Sequence, residues 1–230
     1  MYHVKEAFYT LQGEGGQAGR ASVFCRFSGC NLWSGREADR TAAACRFCDT
    51  DFIGSDGQNG GRFADAALLA DHLTTLWPER DSPGARVAVP YVVFTGGEPL
   101  LQLDEALIQA MHDRGFEVAV ETNGTLPAPA GIDWLCVSPK GENVLAITAG
   151  NELKLVYPQV DAPPQRFAAL AFDHYFLQPM DTTLAGLSVD TPINITTDAK
   201  TNATAASVAY CLAHPQWRLS LQTHKITGID

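Results

Sequence analysis

No apolar run in this sequence approaches the roughly 18–20 residues that a membrane-spanning helix needs. The first residues, Met1-Tyr2-His3-Val4-Lys5-Glu6, lack a basic segment followed by an apolar stretch, so no signal peptide is expected. Basic surplus is also missing: 16 Lys and Arg stand against 26 Asp and Glu, a formal charge of −10. A protein that neutralises phosphate backbones normally carries the opposite balance. The expectation is a soluble cytoplasmic protein with a small-molecule substrate, bound to neither nucleic acid nor membrane. Internal repeats and interdomain linkers are lacking too, so 230 residues read as one domain, 1–230, large enough for a real core.

Good helices are scarce. Residues 64–76 and 104–114 have helical apolar spacing, the second opened by Asp104 and stopped by Gly115. Residues 202–213 are Ala-rich and end at His214-Pro215. β-like runs are more frequent, at 22–27, 91–95, 117–121, 134–138, 152–156, 174–177 and 218–222. Continuous runs such as Tyr91-Val92-Val93-Phe94 suit strands buried on both faces of a parallel sheet. The later crossovers hold too much Pro and Gly for full helices, apart from a short turn near 165–170. These features predict an α/β fold: a partial, reduced (β/α) barrel with about six core parallel strands and three main helices. Two long loops, 31–44 and 181–201, stand out as functional segments.

Six cysteines are present, in a chain neither short nor visibly secreted, so a disulfide framework is not expected. Cys25, Cys136 and Cys211 each sit in an apolar run and are expected in the core. Cys30, Cys45 and Cys48 form a group, separated by fourteen and then two residues. Three thiolates can hold three irons of a cubane and leave the fourth open. Spacing alone also allows a structural zinc site or a Cys45–Cys48 redox pair. A second motif, Thr95-Gly96-Gly97-Glu98-Pro99, follows the apolar strand and precedes a helix. Its glycines would let backbone approach a ligand, and Glu98 would meet an ammonium at the strand's C-terminal end.

With the trio and this motif together, the chain resembles the radical S-adenosylmethionine (SAM) superfamily. More narrowly it is similar to the 7-carboxy-7-deazaguanine synthase family, some of whose members share the long first gap. The specific segments are Leu11-Gln12-Gly13-Glu14-Gly15 and Gln222-Thr223-His224-Lys225. Further matches lie in 24–33, 45–52, 121–124, 137–140, 150–154 and 178–181, so the likeness spans nearly the whole chain.

The resemblance implies conversion of 6-carboxy-5,6,7,8-tetrahydropterin to 7-carboxy-7-deazaguanine with loss of ammonia, a lyase reaction of queuosine and deazapurine biosynthesis. It implies a [4Fe–4S] cluster on Cys30, Cys45 and Cys48, and SAM, reductively cleaved to a 5′-deoxyadenosyl radical and then regenerated. It implies Mg²⁺, an electron donor such as a flavodoxin or ferredoxin, and a homodimer. SAM is expected against Phe47, Cys48, Asp49, Gly97, Glu98, Ser138, Pro139, Lys140, Gln178, Pro179, Met180 and Asp181. The pterin substrate is expected against Leu11, Gln12, Gly13, Glu14, Arg26, Thr95, His224 and the terminal carboxylate of Asp230. Thr50 is the expected Mg²⁺ ligand, with Asp49 and Asp51 as rivals, and Lys225 has no assigned role. The segment 181–201 is longer than the family pattern. The competing readings are another radical SAM enzyme, such as a glycyl-radical activase, and a non-enzymatic zinc or thiol module.

Overall fold

The computed structural model describes residues 1–78, 88–181 and 198–229, with side chains from 202 onward in the last segment. Its centre is one sheet of nine strands among the described residues: β1 (Tyr2–Leu11), β2 (Ala21–Phe27), β3 (Gly61–Phe63), β4 (Tyr91–Gly96), β5 (Glu117–Thr122), β6 (Trp134–Val137), β7 (Ala149–Tyr157), β8 (Ala171–Pro179) and β9 (Trp217–Leu219). Their order is β3-β1-β2-β4-β5-β6-β7-β8-β9, so the sheet is open, with β3 and β9 as its edges. Strands β2 and β4 through β9 pair in parallel. Strand β1 runs antiparallel to both β2 and β3. Seven parallel strands stand where about six core strands were expected, the short C-terminal run pairing over Trp217–Leu219. The N-terminal hairpin was not anticipated.

Alternation within the strands sets the two layers. On β4, Val92 and Phe94 join Cys25, Phe27, Val118 and Val120 in a core covered by two helices. These are α1 (Ala66–Leu76) and α2 (Glu105–His112), which contribute Leu69, Leu73, Leu107, Ile108 and Met111. Each helix starts where an Asp side chain accepts a backbone N–H: Asp65 from Leu68 at 2.9 Å and Asp104 from Leu107 at 3.0 Å. The intervening residues Tyr91 and Val93 pack with Ala119 on the other face. All four residues from Tyr91 to Phe94 are therefore buried.

A second core gathers Leu153, Leu155, Leu177 and Trp217 against Phe167 and the far helix, α3 (Asp198–Ala213), through Tyr210 and Cys211. Cys25 and Cys136 are buried as expected, whereas Cys211 is only half-buried at the margin of this core. The connections from β5 to β6 and from β6 to β7 lack helices, as their Pro and Gly content implies. A short helix, α4 (Thr223–Thr227), follows β9. No helix among the described residues is long and apolar enough to cross a membrane. Of the long segment 181–201, residues 182–197 lie outside the described residues.

Candidate active site

Strand residues of the sheet and the loops that follow its strands line a cavity of about 440 Å³. That size falls within the range of small-ligand sites. Its wall includes Leu11, Gln12, Gly13, Glu14, Arg26 and Thr95. Cys30, Cys45, Phe47, Cys48, Asp49 and Thr50 lie on it too, as do Gly97, Ser138, Lys140, Gln178, Pro179, Asp181 and His224. Glu98, Pro139 and Met180 are not on the wall. Asp230 lies outside the described residues.

Cys30 leaves β2 through Gly29, whose φ of 90° suits glycine. The backbone there crosses directly over the end of β4. A Cβ on Gly96 would lie 2.3 Å from the Phe27 carbonyl oxygen, and one on Gly97 would lie 2.1 Å from that of Gly29. The two glycines therefore admit the cysteine loop, while both still line the cavity. Glu98 N–H seals the crossing by donating to Gly29 O at 2.9 Å.

The Glu98 side chain lies off the cavity wall. It is fully buried. Its Oε1 accepts from Thr122 Oγ1 at 2.7 Å and Leu100 N at 2.9 Å, and its Oε2 from Asn123 N at 2.8 Å. Burial pushes its carboxyl up, opposed by these donors. Glu98 ties β4 to β5 behind the wall. Asn123 carries the tie onward, donating from Nδ2 to Asn31 Oδ1 at 2.9 Å, just after Cys30.

The three thiols meet at one end of the cavity. Burial pushes the Cys30 thiol up. A hydrogen bond from Cys45 pulls the Cys48 thiol down to about 6, and the same bond raises Cys45. Among the described residues, no three His, Cys, Asp or Glu side chains converge closely enough for a single metal ion. Ligands of one zinc share one coordination sphere, whereas cubane ligands each hold a separate iron. Three cysteines lining one cavity are the donor set that a cubane with one open iron takes.

Around Glu14 lies a polar network that the sequence reading assigned only in part. Lys154 is buried on the inner face of β7. Its Nζ lies 2.7 Å from Glu14 Oε2 and 3.2 Å from Glu121 Oε1. Gln178 and Gln222 both donate to Glu14 Oε1, at 3.1 and 3.0 Å. Gln12 donates to Glu121 Oε1 at 2.9 Å. Burial alone would push the Glu14 carboxyl up. The Lys154 ammonium and the Gln222 donor outweigh it and hold the group well below the usual carboxylate range. Glu121 and Gln222 line the cavity and Lys154 pairs with its carboxylates, and none of the three was assigned to the site from the sequence. A usable signal was present: Glu152 and Lys154 alternate with Leu153 and Leu155, the period of a strand with one polar face.

The two specific terminal motifs meet here. Gly13 O accepts from Thr223 N at 3.0 Å and Thr223 Oγ1 at 2.8 Å. His224 lies so close that a Cβ on Gly13 would come within 2.3 Å of its Nδ1. Gly15, at a φ of +66°, and Gly16 pass over Glu152, which accepts from Gly16 N at 2.8 Å. The segment after β1 thus spans the open side of the sheet to α4.

At the rim, Lys225 bonds Asp49 at 2.8 Å and Asp181 at 2.5 Å, which supplies the contact its sequence position left undefined. Asp51 is paired with Lys5 at 2.9 Å. Both acids near Thr50 are thus engaged by lysines. Arg26 donates from Nε to Glu6 at 2.8 Å while lining the cavity.

No protein-family model matches the chain. Whole relatives do. It is 63% identical over 228 residues to the 7-carboxy-7-deazaguanine synthase of Bordetella pertussis and 58% identical over 228 residues to that of Caulobacter vibrioides. Each match covers 99% of both chains. The fold is similar to the crystal structure of QueE from Escherichia coli, with a TM-score of 0.65 and 25% identity. That likeness covers 96% of this chain and 93% of the other. With cysteine trio, terminal motifs and open sheet all accounted for along its whole length, the chain belongs to the 7-carboxy-7-deazaguanine synthase family, enzymes of the radical SAM type.

Proposed function

We propose that this protein converts 6-carboxy-5,6,7,8-tetrahydropterin to 7-carboxy-7-deazaguanine, releasing ammonia. The observation that carries the reading is the meeting of three segments in one cavity: the cysteine trio, Gln12-Gly13-Glu14 and Thr223-His224. Cys30, Cys45 and Cys48 would hold the [4Fe–4S] cluster, and the strand ends at Thr95–Gly97, Ser138 and Gln178 would cradle SAM. When bound, cluster and SAM supply one-electron chemistry that removes a hydrogen atom from the substrate.

The chain's own residues then orient the pterin. Glu14, held ionised by Lys154, accepts from ring N–H donors. Arg26 offers its guanidinium to the substrate carboxylate. His224, pressed on Gly13, closes the substrate end. Thr50 offers its hydroxyl to Mg²⁺, an ion that keeps several waters and needs few protein ligands. A one-electron donor such as a flavodoxin or ferredoxin, and assembly as a homodimer, complete the reading.

The test is to incubate anaerobically reconstituted, reduced protein with SAM, Mg²⁺ and the carboxytetrahydropterin, and to identify the product by mass spectrometry. Formation of 7-carboxy-7-deazaguanine supports the reading. Cleavage of SAM to 5′-deoxyadenosine without that product would assign the chain another radical SAM substrate. Cys45→Ala should lose iron and all SAM cleavage, while Cys25→Ala keeps both.

A further inference from the structure

The fourteen residues between Cys30 and Cys45 are folded back on themselves. Ala44 N donates to Leu32 O at 3.1 Å, which closes the base of the loop and brings its two ends together. Inside it, a 3₁₀ turn over Glu37–Ala42 carries Arg40. The Arg40 side chain is only 14% exposed. Its Nη1 donates to the carbonyl oxygens of Arg46 at 3.1 Å and Cys48 at 3.0 Å. Its Nε bonds Glu37 at 2.8 and 2.9 Å. The guanidinium lies 4.1 Å from the centre of the Trp33 ring, which is itself packed edge-on against Phe52.

We infer that Arg40 is a positioning residue for the iron–sulfur cluster: it locks the long loop onto the Cys45–Cys48 turn and holds a positive charge against the third ligand. The inference rests on Cys30, Cys45 and Cys48 being the cluster ligands. Three physical points carry it. A planar fork holds two carbonyls and a carboxylate along fixed, separated directions, whereas an ammonium offers its three donors from one point on a flexible stem. The fork grips backbone on both sides of Phe47, so it fixes the Cys45–Cys48 turn itself. A half-buried cation also interacts with nearby charge more strongly than it would in water. Since reduction adds negative charge to the cluster, Arg40 favours the reduced form. Glu37 takes part of that charge on the Nε side, but the Nη1 side faces the ligand carbonyls.

Arg40→Met and Arg40→Lys, compared with the unaltered chain, test the inference by iron content after reconstitution, the electron paramagnetic resonance spectrum of the reduced cluster, and its midpoint potential. The unaltered protein should show a reduced [4Fe–4S] signal. Arg40→Met should bind less iron, show an altered spectrum and shift the potential to more negative values. Arg40→Lys should recover the potential more fully than the iron content, since it restores charge without the fork. Should Arg40→Met fail to fold, the Lys variant alone is read, for its iron deficit. Variants with the parent's iron, spectrum and potential would overturn the role of Arg40 even if their melting temperature falls, and would leave the proposed function standing. Absence of any cluster from the reconstituted parent would overturn both.

Discussion

Lys154 shows how much one side chain can organise. It neutralises Glu14 and Glu121, neither of which has much water. Losing one partner of such a group leaves uncompensated charge, at a cost of about 3–5 kcal/mol. Lys154→Met should lower stability by that order in denaturant unfolding, and raise the substrate KM. The pH dependence follows from the depressed Glu14 pKa. In the native chain the pair's contribution is full above the ordinary carboxylate value of 4.5 and is lost as pH falls toward about 2. In Lys154→Met that loss should begin at higher pH, because burial then acts on Glu14 with no ammonium to oppose it. Thr50 is a simpler case. Thr50→Ala should weaken Mg²⁺ stimulation of turnover and leave iron content unchanged, since Asp49 and Asp51 are held by Lys225 and Lys5. Undiminished Mg²⁺ dependence would remove Thr50 from the ion's shell.

Two glycines distinguish the elements they join. Gly97 lies under the backbone of Gly29, and Gly13 under the ring of His224. A methyl group at Gly97 meets rigid backbone at 2.1 Å, so Gly97→Ala should displace the cysteine loop and reduce iron content. At Gly13 it meets a side chain at 2.3 Å, which can yield by moving α4. Gly13→Ala should therefore keep its iron and its SAM cleavage but raise the substrate KM several-fold. Equal iron loss in the two variants would show that loop and helix are not separable. Both motifs were legible in the sequence. Their mechanics were not, because a glycine's neighbour across 70 or 200 residues leaves no local trace. The helices α1 and α2 were legible through Asp caps and apolar spacing. Strand β1 was missed because its polar and apolar residues do not alternate cleanly, and its register shifts between Val4 and Glu6.

At the scale of the whole molecule, the open sheet leaves a gap between its first and last strands, and the segment after β1 fills it. Gln12–Gly16 reaches Glu152 on β7, Gln178 on β8, and Ser220, Gln222 and Thr223 beyond β9. Both ends of the chain thus line the cavity, together with the loop after β2 that carries the cysteines and the loop after β4. The two halves of the cavity should fail separately. Truncation after Gln222 removes α4 with His224 and Lys225. It should abolish formation of the deazaguanine product and preserve iron content, with SAM cleavage persisting uncoupled from product. A truncated chain without its cluster would mean that α4 supports the cysteine end as well, through the Lys225–Asp49 contact.

Some of this was determined by the sequence alone. Cysteine spacing, the Thr95–Pro99 motif and the terminal motifs marked the family, since chemistry that depends on particular side chains needs those residues wherever the chain runs. Apolar runs marked the parallel strands, because burial on both faces is written locally. Tertiary structure decided the rest. It placed Glu98 behind the wall, gave its neighbouring glycines to a backbone crossing, and joined Lys154 to Glu14 and Glu121. It also folded fourteen residues into a loop held by Arg40. Each of these depends on which distant groups share a small, water-poor space, and pairing of that kind is set by how the strands are ordered in the sheet, which no local stretch of sequence records.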